Sequence, residues 1–496
     1  MLKKIAAIVV VLLLIAVGVL YVAGLGLFGE HEGPGQVTRT PRPAGVTGAH
    51  TARIESAASA IGVARAKQIL FGDLHVHTTY SFDAFLASLP LSQGEGAHPP
   101  ADACDFARYC SALDFWSIND HAEQITPRHW RETVESIRQC NAVAGDESNP
   151  DTVAYLGWEW TDVGATPADH YGHKNVVLAH TDESRIPARP IAADSTVTRT
   201  RAAMGFSTPV MGALALAGGH PRYHDLARYF AERRGLDRCP TGVDVHDLPT
   251  DCLETAVTPA DLFRKLDEWG HDAIVIPHGT TWGFYTPPGS TWDKQLSGDL
   301  HDPDRQTLFE IYSGHGNSDQ YADFRAVLLQ DGRPVCPEPT RHYEPTCHRA
   351  GEIVRARCLA AGESGNECDA RAATARQNAA EALGQAHLTV PGTRPEEWLD
   401  AGQCRECDQP AFNYRPGGSA QYVMAIGNFD DPERPRHFRF GFMSSSDNHY
   451  ARPGTGYKEV ARRLNTEAGG VVDPKYRPIF IADEPAPSSA VYRRTR

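Results

Sequence analysis

The stretch Phe71–Asp83, FGDLHVHTTYSFD, decides how this chain is read. Its alternation predicts a short extended strand, in which side chains repeat with period two. His75 and His77 then share one side, spaced to grip one divalent ion, and polar Thr78, Ser81 and Asp83 follow at once. Two imidazoles do not make a site, so the rest of the chain must supply partners in the same setting.

It does so repeatedly. LDFWSIN (Leu113–Asn119) reads as a buried strand running into Asp120-His121, and TVAYLGWEW (Thr152–Trp160) as another ending at Glu159. HKNVVLAH (His173–His180) is extended again and fits the return arm of a hairpin. DAIVIP (Asp272–Pro277) ends at His278, TLFEIY (Thr307–Tyr312) runs into Ser313–Asn317 with His315, and FRFGFM (Phe438–Met443) leads into SSSDNH with Asp447 and His449. Helices are expected between several of these, at Ala52–Ala66, Ala101–Leu113, Pro127–Ala142 and Pro259–Gly270. The third has Trp130, Val134 and Ile137 at helical spacing, and the last has Pro at its start and Gly at its end. Ile186–Gly219 reads as a polar loop. Apolar strands that end in His, Asp or Glu predict an α/β fold, a parallel barrel whose C-terminal strand ends converge on one mouth.

The expected ligands are His75, His77, Asp83, His121, Glu159, His278, Asp447 and His449, with His173 added. Nitrogen and carboxylate donors without thiolate suit Zn, Mn or Fe(II) rather than Ca or Mg. So many donors predict two or three divalent ions sharing bridging carboxylates, a centre suited to hydrolysing an ester. Each residue has an ordinary structural reading: Asp120 as a helix cap, Glu159 as a paired buried carboxylate, His278 and Asp447–His449 as turn residues. Their shared placement at strand ends argues for one site.

The chain's 496 residues allow one large domain with an insertion, and its net charge of −14 excludes the basic stripe that nucleic acid requires. Residues 1–28 open with Lys3 and Lys4 and continue as the charge-free run Ile5–Phe28, long enough to cross a bilayer. The expectation is an uncleaved inner-membrane anchor with the remainder facing the periplasm or cell exterior, secretion after signal cleavage being the alternative. Residues 29–66 read as a linker, Gly-, Pro- and Thr-rich over Gly29–Thr51. Eleven cysteines fit an oxidising compartment. Cys336, Cys347, Cys358, Cys368, Cys404 and Cys407 mark a disulfide-stapled insertion over residues 333–418, and Cys104 with Cys110, and Cys239 with Cys252, are further candidate pairs.

HVHTTYSFD, the later Asp120-His121, a strand-end Glu, the strand-end His278 and a closing D-x-H resemble, in order, the polymerase and histidinol phosphatase (PHP) superfamily. GHKNVVL, PHGTTWGFYTPPG, EIYSGHGNS and SSSDNHYARPGTGYKEV are similar to an exported bacterial branch of it that carries a domain of unknown function. The resemblance covers residues 67–458, with 459–496 left as a C-terminal extension. It implies a distorted seven-stranded β/α (TIM-like) barrel with a trinuclear metal centre. His75 and His77 would hold one metal with Glu159 bridging, Asp83 and His121 would belong to the neighbouring sites, and Asp447 and His449 would complete the cluster. The family pattern asks for one more histidine after Glu159. His173, His180 and His220 compete for that place, and His173 in the G-H-K-N run is preferred. His315 is a candidate substrate contact or proton donor, Lys174 and Arg452 are candidate anion contacts, and the aromatics of Thr281–Trp292 and Trp158–Trp160 are candidate pocket walls.

The reading is a membrane-anchored, metal-dependent hydrolase of a small phosphomonoester or phosphodiester. A sulfate-ester hydrolase and a non-catalytic, metal-stapled envelope domain are its competitors.

Overall fold

In the computed structural model the His75/His77 stretch is a strand, and the other elements are arranged around the point where it ends. The structure describes residues 2–64, 69–92, 94–146, 148–194, 207–282, 286–287, 289–314, 316–317, 325–382, 386–398, 401–402 and 417–455. His315, Cys404, Cys407 and the 459–496 extension lie outside these residues.

In chain order the strands are β1 (Gly72–Val76), β2 (Phe115–Ile118), β3 (Val153–Tyr155), β4 (Gly157–Asp162), β5 (Gly172–Leu178), β6 (Ile191–Ala193), β7 (Glu254–Ala256), β8 (Ala273–His278) and β9 (Leu308–Ser313). After the short β10 (Gly316–Asn317) come the pairs β11 (Leu328–Gln330) with β12 (Arg333–Val335) and β13 (Gly427–Asn428) with β14 (Arg436–His437), and then β15 (Gly441–Ser444). The fold is mixed α/β. Among the described residues the strand ladders form small sheets, β1-β2-β3, β4-β5-β8, β10-β9-β15, β6-β7, β11-β12 and β13-β14, and no closed barrel is seen. Single bridges join neighbouring sheets at Val76 with Asn448 and at His121 with Glu159.

β1, β2 and β3 are parallel, as are β9 and β15. β5 runs antiparallel to both β4 and β8, so its first residues lie beside their last ones: His173 stands opposite Thr161 on one side and His278 on the other. Thr152–Trp160, expected as one strand, is broken at Leu156, with β3 pairing to β2 and β4 to β5.

The helices form where local chemistry directs them. Thr126 caps Pro127–Ala142 by accepting from His129 N, and Trp130, Val134 and Ile137 enter the core. Thr258 caps Pro259–Trp269, which stops at Gly270 with φ of 68°, a conformation that favours glycine. Trp116, Ile118, Trp158 and Trp160, all fully buried, pack with these helix faces as the main core.

Several features depart from expectation. Ile186–Gly219 contains β6 and a helix at Thr208–Ala217. That helix (TPVMGALALA) is apolar on all sides, so it carries no amphipathic period to read. The helix expected at Ala52–Ala66 lies at Ala44–Ala60, and the strand expected at Phe438–Met443 is Gly441–Ser444. Cys104 pairs with Cys140, at the end of the helix Pro127–Ala142, and not with Cys110, which is exposed and free. The Cys239–Cys252 bond forms as expected. Residues 34–42 lie along the domain: Ala101 N donates to Pro34 O, Thr38 N to Asp105, and Arg42 N to Asp151. In the insertion, Cys336–Cys347 and Cys358–Cys368 staple the helices Thr346–Ala360 and Gly365–Glu381 around a small core of their own.

Candidate metal centre

The strand ends bring every predicted ligand into one cluster. His75 leaves β1 and His77 follows it; Asp83 comes from the short helix Phe82–Ala87, His121 from beyond β2, Glu159 from β4, His173 from β5 and His278 from β8. Asp447 and His449 arrive in the turn after β15. That turn is held against β1 by backbone bonds from Asp447 N to His75 O, His77 N to Asn448 O and Ala451 N to His77 O. Asp447 has φ of 51°, a left-handed conformation seldom adopted by non-glycine residues. The Asp73 carboxylate, fully enclosed, fixes the same turn by accepting from Ser446 N and Gly454 N.

Four donor atoms are packed closely. His75 Nε2 lies 3.1 Å from His77 Nε2, 3.1 Å from Asp447 Oδ1 and 3.6 Å from Glu159 Oε2. His77 Nε2 lies 3.2 Å from both carboxylate oxygens. Tetrahedral ligation with bonds of about 2.0–2.1 Å has edges of about 3.3–3.4 Å. His75, His77 and Asp447 therefore fit one ion in size and in donor type, while Glu159 groups with His75 and His278.

On one side, Asp83 Oδ2 stands 2.9 Å from His121 Nε2 and 3.3 Å from His449 Nε2. On the other, Glu159 turns its second oxygen, Oε1, towards His173 Nδ1 (2.5 Å) and His278 Nε2 (3.2 Å). The carboxylate of Glu159 thus spans two donor groups. His75, His77, His121, Glu159, His173, His278, Asp447 and His449 are buried, while Asp83 keeps 44% of its side chain open and marks where the cluster meets solvent.

The opposite edges of the rings are held as well. His75 Nδ1 is 2.9 Å from Glu310 Oε2, both fully buried. Ser81 Oγ donates to Asp120, which also accepts from Thr78 N and Thr78 Oγ1; its proton thus used, Ser81 Oγ accepts from His121 N and, at 3.0 Å, from His77 Nδ1. His449 Nδ1 donates to Asp447 O, and His121 Nδ1 contacts Thr161 Oγ1. For His75, His77 and His449 a proton on Nδ1 leaves the Nε2 lone pair facing the cluster, the arrangement that orients histidine towards a metal, whereas His121 also turns Nδ1 to Glu159 Oε2 at 3.0 Å.

The electrostatics match. Burial disfavours charge on His75, yet Asp447 and Glu310 hold its pKa well above the ordinary value; Asp83 and Glu159 do the same for His121. Burial opposes charge on Asp83 and Glu159 too, but the imidazoles hold both well below the usual carboxylate range. Burial depresses His173 to about 4, which keeps it neutral and able to ligate.

Other predicted residues are placed differently. Lys174 lies on the face of β5 opposite His173, where its ammonium donates to Tyr171 O and lies over Trp160. Arg452 pairs with Glu95. His180 contacts Arg185 and lies 3.5 Å from Asp272 at the far end of β5. Of the aromatics, Trp158, Trp160 and Trp292 are core residues, and Trp282 stands beside the His278 ring with centroids 6.4 Å apart. Glu310 was missed. Its signal was a carboxylate inside the apolar run LFEIY, a position that needs a buried partner.

Comparison with known proteins adds one finding. No curated protein matches the sequence. A family model described as "Protein of unknown function (DUF3604)" matches residues 64–126, the stretch that supplies His75, His77, Asp83 and His121.

Proposed function

We propose that the protein is a metal-dependent hydrolase of a small phosphate ester, related to the PHP superfamily and built as a distorted seven-stranded barrel. One observation carries the reading. Three overlapping buried donor groups, His75 with His77 and Asp447, His75 with Glu159 and His278, and His77 with His121 and His449, lie together with Asp83 and His173, more donors than a single structural ion uses. The order of neighbours supports the barrel: the turn after β15 bridges β1 at Asn448 and Val76, β1 pairs with β2, the residues after β2 bridge β4 at His121 and Glu159, and β4-β5-β8 follow. Val275 N in β8 donates to Arg305 O just ahead of β9, which pairs with β15.

Zinc, manganese or iron bound there would polarise an ester oxygen and lower the pKa of water. The chain's own residues do the rest. Glu310, the Ser81–Asp120 pair and the Asp447 carbonyl keep the rings aimed, so little reorganisation accompanies ligation. Trp282 and the enclosed faces of His75 and His278 keep water from the inner side. Substrate enters past Asp83, the exposed member.

The test is metal content of the full chain, measured with phosphate and sulfate release from matched aryl esters. Two or three equivalents with phosphate release, both reduced by His77→Ala, are expected. One equivalent or none, with no ester cleaved, overturns the proposal and favours a metal-stapled envelope domain. Faster sulfate release reassigns the substrate.

A further inference from the structure

The helix Thr208–Ala217 has no place in the metal chemistry, and its composition is unusual for a surface element. No charged residue occurs from Ser207 to Gly219. A helix apolar on all sides is normally surrounded by protein or by lipid. Here two sides are covered, one by Phe85, Tyr223 and Leu226 against Met211 and Ala215 and one by the N-terminal helix at Gly212, while Val210 and Leu216 remain 49% and 43% exposed.

Its neighbour is the end of the N-terminal helix. Leu2–Gly24 is a single helix, and Lys3–Gly24 has the length and mean hydropathy, 3.2, of a membrane span. The two helices approach at glycines: a Cβ on Gly24 would meet Thr208 O at 1.7 Å, and one on Gly212 would meet Leu20 O at 1.8 Å. Small residues permit such backbone contact, as in helix pairs within membranes. The register, Gly24 by Thr208 and Leu20 by Gly212, runs the helices antiparallel. Arg234 Nη2 donates to Gly24 O, closing the carbonyl end of the anchor, and also pairs with Thr208. Ala23 is fully buried, so the last turn of the anchor belongs to the folded domain. Beyond it Leu27 and Phe28 are also exposed, the Phe28 ring standing edge-on to His224.

We infer that the helix Thr208–Ala217, with Leu27 and Phe28, is a second membrane-contacting element that seats the domain on the bilayer crossed by Lys3–Gly24. The occupant of its exposed face is the acyl-chain boundary of that bilayer, because the face is continuous with the anchor and carries no charge. Phe85, from the helix that supplies Asp83, packs on the same cluster, which places the metal centre one helix layer above the seat. The inference rests on retention of the N-terminal helix and is independent of the hydrolase reading.

The test uses the full chain in vesicles of phosphatidylethanolamine and phosphatidylglycerol carrying a phospholipid with an acyl-chain diazirine. Intact mass is checked first, and illumination is followed by peptide mapping. Label is expected on the anchor and on the peptide covering residues 207–219, but not around Met424 and Phe429, which are 61% and 63% exposed. Val210→Asp with Leu216→Asp should reduce label at 207–219 to that control level while metal content stays unchanged. Label on the anchor alone, label that survives the double substitution, or a mature chain lacking residues 2–24 overturns the inference.

Discussion

Glu310→Gln isolates what a buried carboxylate contributes without supplying a ligand atom in the described geometry. Glu310 Oε2 meets His75 Nδ1 at 2.9 Å, and both side chains are fully buried. An ion about 2 Å beyond Nε2 would lie roughly 6–7 Å from this carboxylate. At an effective dielectric near 20, a divalent ion and a carboxylate at that range attract by about 5 kcal/mol. Part of this is cancelled, because Glu310 also stabilises the protonated ring that must lose its proton before ligation. The net loss expected for Gln is about 10–100-fold in affinity for one equivalent, or about 1.4–2.8 kcal/mol. The cancellation fixes a sign. Glu310 raises the His75 pKa, so the variant ring deprotonates more easily, and the advantage of the native residue grows as pH rises. Chelator-competition titration from about pH 6 to 9, spanning the ordinary histidine range, reads both quantities. An affinity unchanged within about twofold at every pH, or an advantage that shrinks as pH rises, would falsify this account.

Three further outcomes follow from the geometry. Gly172→Ala sets a Cβ 2.5 Å from Thr280 Cα at a residue with φ of 69°; a loss of about 1–3 kcal/mol in denaturant unfolding is expected, together with weaker metal retention because His173 is adjacent. In chelated protein, the part of the stability due to the raised pKa values of His75 and His121 is complete below about pH 6.5 and lost as pH rises through the folded values. The part due to lowered Asp83 and Glu159 is complete above their ordinary values and lost only in stronger acid. Metal should therefore raise Tm little near pH 5 and progressively more towards about pH 9, and an increment independent of pH would contradict the paired cluster. Cys140→Ala opens a bridge with a sequence separation of 36; chain-entropy reasoning gives a loss of about 3–4 kcal/mol, larger than for Cys252→Ala at a separation of 13, and equal costs in denaturant titrations would refute that ranking.

The ligand set was legible because most of its members stand at the edge of an apolar run, and buried polar residues there need partners. His173 shows the limit. The pattern offers β5 as a return arm but does not encode its register, and pairing with both β4 and β8 is what brings His173 to the mouth. Glu310 was hidden for the opposite reason, lying inside a run already read as a strand. The helix Thr208–Ala217 was illegible because periodicity methods need a polar face, and this helix has none. The Cys104–Cys140 pair joins two helices, and Cys110 is closer in sequence but points to solvent. Proximity along the chain predicts disulfides only when the intervening loop lies on one element.

The turn after β15 has a bearing on when the protein becomes competent. Asp73 receives Ser446 N and Gly454 N across separations of 373 and 381 residues, and His77 N closes onto Asn448 O. The pocket is thus a buckle whose frame is set early in the chain and whose tongue comes late in it. A chain cut short before Gly441 would keep most of the helices and strands yet hold no complete centre. Closure of the donor cluster thus waits on a contact between two distant parts of the chain, and not on the folding of either part alone.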